Sequence, residues 1–264
     1  MKLLWEGTLA FGLVNVPIRL YKAVRKREIE FRLLHEPDRA TIRYQKVCSE
    51  ENLPVPDTEV VRGYPLDDDW VVLTSQEIEA AAPTLTRSIT IQTFVDLHEI
   101  DPIFFRKPYY LAPAEGGEEL YATVREAIRR SGKVGIARFV LLHREHLAVV
   151  RTVQDTLVAE TLHYPEELID PREVEPPAEV RLREGEIRLA VELIRHLSGS
   201  FDPAEYRNEF RQRVLELIRQ KAEGRLPPEL VPPPPPTPTP VVDLTRRLRE
   251  SLERAERERR RRAA

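Results

Sequence analysis

The chain has 264 residues and a formal net charge of −3, with 41% hydrophobic and 32% charged residues. That length supplies one large or two small domains with a real core, and no run of eighteen apolar residues reads as a transmembrane helix. The single cysteine, Cys48, excludes an internal disulfide and a Cys-rich zinc site, and Glu6 inside the only apolar N-terminal stretch argues against a signal peptide, so a cytoplasmic location without membrane attachment is expected.

Residues 1–165 read mainly as β. The stretch WEGTLAFGLVNVPIRLY, Trp5 to Tyr21, alternates apolar residues at Leu9, Phe11 and Leu13, then at Val14, Val16, Ile18 and Leu20. The change of phase over Gly12 to Asn15 predicts one long strand bent by a bulge. IEFRLLHE and ATIRYQKV flank a Pro-Asp-Arg turn and predict a hairpin. DWVVLT predicts a short strand running into a helix capped by Ser75, with Glu77 and Glu79 in its first turn. SITIQTFVDL alternates again, with Ile89, Ile91, Phe94 and Val95 as the inward candidates, and PYYLAP follows between prolines. GEELYATVREAIRRSG predicts a helix with Leu120, Val124 and Ile128 on one face and Gly132 as its stop signal. KVGIARFVLLHREHLAVVRTV predicts a hairpin with His143 to His146 at its tip, and TLVAETLHY a last strand. Many short strands, one helix and no βαβ rhythm predict a mainly β fold with added α, an antiparallel barrel or sandwich.

The character changes after residue 184. EIRLAVELIRHL places Ile187, Val191, Ile194 and Leu197 on one helical face. The next segment opens with Asp202 as N-cap, Pro203 at the first helical position and Glu205 at the capping-box position. Tyr206, Phe210, Val214, Leu217 and Ile218 form its apolar stripe, and Gly224 ends it. Residues 227–240 form a proline-rich linker, a semi-rigid polyproline spacer of roughly 40 Å at about 3.1 Å per residue. Beyond it, with Asp243 as candidate cap, Leu244, Leu248 and Leu252 recur at i, i+4 and i+8. A lone helix of this length is marginal in water, so its narrow leucine stripe reads as a motif that orders on a partner.

Charge is segregated along the chain. Residues 1–48 carry a net +5, residues 49–120 a net −11, and residues 231–264 a net +4. A polyanion senses the field within about 8–10 Å and not the total, so the basic first segment is a candidate phosphate-tracking surface. Its cations are Lys22, Arg25, Lys26, Arg27, Arg32, Arg39, Arg43 and Lys46. The plainer reading is a solvated face on which Glu28 and Glu30 pair with these cations. Few aromatic residues interleave with them and no recognition helix is visible, so any contact is to the backbone of the nucleic acid and insensitive to sequence.

Catalytic patterns are weak. His143 and His146 have a spacing unsuited to a zinc helix, and Asp67 to Asp69 read as a solvated acidic turn, with a metal-dependent nuclease as the competing reading. The run Glu115 to Glu119 lacks a phosphate-loop spacing, and Ser88, Ser131 and Ser198 have no nucleophile elbow around them. A scaffold whose function is the proline linker and leucine helix is the third class of reading. No catalytic residue, metal site or cofactor is assigned.

The opening stretch resembles the start of the bacterial Ku family, whose members begin W-x-G-x-x-x-F-G-L-V-x-x-P-[VI]-[KR]-L-Y. Three further blocks agree in order: FVDLHEIDPIFFRKPYYLAP (94–113), GKVGIARFVLLHREHLAVVR (132–151) and FDPAEYRNEFRQRVLELIRQKAEG (201–224). The resemblance implies a Ku-type β-barrel core with a bridging arm over residues 1–170. It implies a helical arm at 171–226, the Pro-rich linker at 227–240 and a partner-binding tail at 241–264. It also implies a ring-shaped homodimer that binds double-stranded DNA ends without sequence preference, starts non-homologous end joining and recruits DNA ligase D. Such a protein performs no chemistry of its own and needs no nucleotide cofactor. On that reading the eight cations are the DNA-binding candidates, and Tyr206, Phe210, Val214, Leu217 and Ile218 the dimerisation stripe. Leu244, Leu248 and Leu252 are the ligase-binding residues.

Overall fold

A computed structural model of the chain describes residues 3–81, 87–141, 143–174, 182–225 and 244–263. The expected linker at 227–240 and the candidate cap Asp243 lie outside the described residues. The chain divides into two compact units, Met1–Pro171 and Arg172–Ala264.

The first unit is built on a closed seven-stranded barrel. Its strands are β1 (Leu3–Phe11), β2 (Val14–Lys22), β5 (Ser88–Asp96), β6 (Phe105–Pro113), β7 (Lys133–Leu141), β8 (Arg144–Val153) and β9 (Thr156–Leu162), in the order β1-β2-β6-β9-β8-β7-β5. Every neighbouring pair is antiparallel except β1 and β5, whose parallel pairing of Thr8 with Ser88, Leu9 with Ile89 and Ala10 with Thr90 closes the barrel. The Thr8 N–H donates to the Arg87 carbonyl at 2.8 Å at this seam. A Cβ at Gly7 would collide with that same carbonyl oxygen, so the approach requires a glycine.

The long opening strand is in fact two. Gly12 and Leu13 form a two-residue turn, with Gly12 at φ 55°, and Phe11 pairs with Val14, Leu9 with Val16. Positive φ at the first central residue is what a type II′ hairpin turn needs. Such a turn sets residues i and i+3 side by side on one face, which is the phase change read in the sequence as a bulge. Leu13, read as part of the alternating set, sits at the tip and is 99% exposed.

The barrel interior holds Leu9, Val16, Ile18, Leu20, Ile89, Ile91, Leu111, Phe139, Val150 and Leu157, together with smaller alanines. Helix α2 (Glu118–Ser131) adds Tyr121, Val124 and Ile128 to the same cluster, and Gly132 ends it at φ 66°. Tyr121, and not Leu120, holds the first position of that face; Leu120 is exposed. The Tyr121 hydroxyl donates to the Leu111 carbonyl at 2.6 Å and accepts from the Leu157 N–H at 2.9 Å, across the paired ends of β6 and β9. Burial pushes the phenol above its ordinary range. Alternate residues of β7 to β9 turn the other way, and Val134, Val149 and Leu162 form a second cluster under Ile100, Phe104 and Phe105. The β7–β8 hairpin stands as the sequence predicts, but only His143 lies at its tip, at φ 62°. His146 sits within β8, its ring 5.5 Å from that of Phe139.

The connection from β2 to β5, residues 23–87, is the arm. Its expected first hairpin reduces to one antiparallel bridge, Leu34 with Thr41, on otherwise irregular backbone. A second hairpin follows, β3 (Arg62–Leu66) with β4 (Asp69–Leu73), of which only β4 is legible in the sequence. Helix α1 (Ser75–Ala81) is capped by Thr74 and not Ser75: Glu77 N–H donates to Thr74 Oγ1 at 3.2 Å, and Thr74 N–H donates to the Glu77 carboxylate at 2.8 Å.

The second unit contains α3 (Glu184–Leu197), α4 (Glu209–Ala222) and α5 (Leu244–Ala263). Asp202 and Pro203 initiate only one 3-10 turn, Pro203–Glu205, and Asn208 caps α4 by accepting from the Arg211 N–H at 2.9 Å. Tyr206 therefore lies outside the helix, against Phe201 at a ring separation of 5.3 Å. The apolar face read on α3, Ile187, Val191, Ile194 and Leu197, is exposed in the single chain. Leu189, Ala190 and Leu193, on the other side, are half-buried, and α5 is the helix packed against α3.

Candidate nucleic-acid interface

All eight predicted cations are exposed, and seven of them fall in the arm. Lys22 ends β2 opposite Tyr109 of β6, and the next residue makes the last ladder-like contact, Ala23 N–H to the Pro108 carbonyl at 3.3 Å. The chain then leaves the barrel wall through Arg25, Lys26 and Arg27 on backbone with no strand partner.

The turn at Glu36–Asp38 is locally well tied. Asp38 accepts from the Ala40 N–H at 3.0 Å and meets His35 Nδ1 at 2.9 Å. The Ala40 N–H first, and His35 second, hold its carboxyl below the ordinary carboxylate range. Arg39 occupies the left-handed region at φ 57° in this turn. Ile42 N–H donates to the Leu33 carbonyl at 3.0 Å, beside the single bridge between Leu34 and Thr41.

A second loop follows the bridge between Val47 and Pro54, and Lys46 differs from the other cations. Its Nζ donates to Asp57 Oδ1 at 2.7 Å, and that bond holds the Asp57 carboxyl below its ordinary value. Among the described residues, Lys22, Arg25, Lys26, Arg32, Arg39 and Arg43 have no carboxylate partner; Glu28 and Glu30 do not pair with Arg25 or Lys26. Several cations of the barrel strands and of α2 are matched instead: Lys133 with Asp96 at 2.7 Å, Arg151 with Glu160 at 3.0 Å, Arg138 with Glu145 at 3.3 Å, and Arg129 and Arg130 of α2 with Glu126.

The arm also carries exposed apolar side chains. Phe31 is 71% exposed, Tyr44 87% and Trp70 65%, with Leu33, Ile42 and Tyr64 similarly open. On α4, Phe210 and Ile218 are exposed and Val214 and Leu217 half-buried. On α5, Leu248 and Leu252 are half-buried, while the Leu244 side chain lies outside the described residues.

The residues considered for catalysis do not gather. Asp67 and Asp68 form the β3–β4 turn, with Asp67 at φ 51°, and Asp69 accepts from the Trp70 N–H at 2.7 Å. Among the described residues no group of three or more His, Cys, Asp or Glu side chains is placed to hold a metal ion. Backbone N–H groups of Glu51 and Glu50 lower the Cys48 thiol, a lone group without a partner residue of matching chemistry. No helix among the described residues is long and apolar enough to cross a membrane.

Comparison with known proteins adds to this geometry. Residues 10–189 match the family described as Ku: Ku70/Ku80 beta-barrel domain. The chain is 39% identical over 261 residues to a protein of Symbiobacterium thermophilum named Non-homologous end joining protein Ku, covering 98% of this chain and 64% of that one. Proteins of the same name from Bacillus subtilis and Heliobacterium modesticaldum are 34% and 36% identical, over 83% and 95% of their lengths and 97% and 99% of this chain. The chain thus spans under two thirds of the Symbiobacterium protein and most of the other two.

Proposed function

This chain belongs to the Ku family, and from that premise we propose that it binds the ends of double-stranded DNA irrespective of sequence and starts non-homologous end joining. The observation that carries the reading is the set of exposed cations Lys22, Arg25, Lys26, Arg32, Arg39 and Arg43, at the end of β2 and along the arm, which have no carboxylate partner among the described residues. Such a surface contacts phosphates, which give affinity and steep salt dependence but carry no base information. Lys46, already neutralised by Asp57, contributes least.

Specificity for an end then comes from topology. Two copies close into a ring, and only a free end threads it. The exposed apolar residues of the arm support a second copy as their cover, since contiguous apolar surface marks an interface. Phe210, Val214, Leu217 and Ile218 on α4, with Tyr206 beside them, supply further apolar area for the same isologous contact. The tail, through Leu244, Leu248 and Leu252, recruits DNA ligase D. The protein acts at the nucleoid in the cytoplasm and performs no chemistry itself; its partners do. Barrel and arm (1–170), helical arm (171–226), linker (227–240) and tail (241–264) are separate functional parts.

The test compares a linear duplex with a covalently closed circle of the same sequence at physiological salt. Strong binding to the linear form, weak binding to the circle, and recovery when the circle is cut are expected. Equal affinity for both forms would sink the ring.

A further inference from the structure

The tail helix has a partner within its own unit. Thr245 Oγ1 donates to Glu186 Oε1 at 3.2 Å, joining the first turn of α5 to the first turn of α3. His196 Nε2 lies 4.0 Å from Glu256, joining the last turn of α3 to a position further along α5. These contacts are ten residues apart on α3 and eleven on α5, so the helices run parallel and side by side for about 15 Å at 1.5 Å per residue.

The faces that meet follow from burial. On α5, Leu248 and Leu252 are half-buried and Ala255 is buried, a seam at i, i+4 and i+7. On α3 the covered side is Leu189, Ala190, Leu193 and His196. Two of the three leucines given to the ligase are therefore already occupied by α3.

We propose that α3 is an internal competitor for the ligase: the leucine stripe of α5 docks either on Leu189 and Leu193 or on the ligase, never on both. The inference rests on the ligase reading above and deepens it, because it makes recruitment conditional on release of the tail. The contact is built to release. Its apolar seam is two leucines and an alanine wide, and an isolated helix gains little from so narrow a stripe. The interface also buries His196 Nδ1 without a hydrogen-bond partner, a desolvation cost that favours opening. Most of the remaining α5 sequence is arginine and glutamate.

The experiment measures binding of DNA ligase D to three probes: a peptide of residues 241–264, the full chain, and the full chain with L193E. In a second measurement, the labelled peptide is titrated in trans into the full chain with residues 241–264 deleted, with and without L193E. The peptide is expected to bind the ligase at least tenfold more tightly than the full chain, and L193E to bring the full chain to the peptide's affinity. The truncated chain is expected to capture the peptide, and its L193E form to lose it. Equal ligase affinity of peptide and full chain, or failure of the truncated chain to capture the peptide, overturns the competition while leaving the ligase reading intact. A peptide with no affinity for the ligase overturns both, and so separates the two failures.

Discussion

The barrel and the arm use the same kinds of residue to opposite ends. In the barrel, Leu9, Ile18, Ile89 and Leu157 are sealed from solvent, and each of Lys133, Arg138 and Arg151 has a carboxylate within 3.3 Å. In the arm, Phe31, Tyr44 and Trp70 stand in solvent, and Arg25, Lys26, Arg32 and Arg43 have no such neighbour among the described residues. Apolar burial stabilises by roughly 25 cal/mol per Å², and an arginine gains most where a carboxylate or phosphate meets its guanidinium. What separates the regions is therefore whether such side chains find a partner among the described residues, and not their kind.

The largest expected effect tests that difference with charge. Arg25→Glu with Lys26→Glu, in the arm, and Arg129→Glu with Arg130→Glu, on α2, change the net charge by the same amount. The arm pair is expected to lower affinity for linear duplex by about a hundredfold for every sequence alike, and to cut the salt slope by about two contacts per subunit. The α2 pair, whose partner is Glu126, is expected to leave the salt slope unchanged. Equal losses in a salt titration of both variants would mean that total charge, and not the arm, attracts the DNA.

A single hydroxyl tests the same contrast through stability. Tyr121→Phe strips a hydrogen-bond partner from both the Leu111 carbonyl and the Leu157 N–H inside the barrel. Leaving such buried groups unpaired costs about 1–3 kcal/mol. Tyr44→Phe, in the arm, removes a hydroxyl that water already solvates, and is expected to stay within about 0.5 kcal/mol of the parent. Urea midpoints of the two variants check this, and matching midpoints would show that Tyr121 is no pin.

These contrasts also mark what the sequence discloses. Alternation exposes β5, while the β7–β8 hairpin and β9 show as apolar runs, because residues on both of their faces are buried. It cannot tell a bulge from a two-residue turn, since both shift the phase by one, so β1 and β2 read as one strand. Gly63 and Pro65 hide β3. Tyr121 loses to Leu120 on hydropathy alone, although 121, 124 and 128 fit the helical period as well; its two hydrogen bonds decide the matter. Asp202-Pro203 is a good start signal that produces one 3-10 turn, because Asn208 caps the following helix closer to its stripe. Exposure of the cations is legible from their density. Their lack of carboxylate partners is not, because Glu28 and Glu30 lie beside them in sequence. The leucine stripe of α5 is legible in its periodicity, but its docking on Leu189 and Leu193 of α3 is not, because Ile187, Val191, Ile194 and Leu197 form the stronger stripe on that helix.

The smallest effect is electrostatic and tests the matched side of the comparison. Glu126 accepts from Arg129 at 2.6 and 2.8 Å and from Arg130 at 2.7 Å, and these bonds pull its pKa from 4.5 to about 2. A depressed carboxylate binds its proton later in the folded state than in the unfolded one. Its contribution is therefore complete above the unfolded value near pH 4.5, and is lost as pH falls through about 2. Glu126→Gln is expected to melt slightly below the parent at pH 7, with the gap shrinking steadily below pH 4.5. The gap is small because the cluster is exposed and screened by salt. Asp57 is likewise depressed by Lys46, yet it belongs to the arm, whose β3–β4 hairpin pairs only with itself. Asp57→Asn is expected to leave the barrel's melting temperature unchanged from pH 7 to pH 3. A gap at Glu126 that stays constant with pH would show that its bonds are geometric and not ionic. A gap at Asp57 as large as the one at Glu126 would show that the arm is part of the barrel's cooperative unit, and the distinction between matched core and unmatched arm would fall.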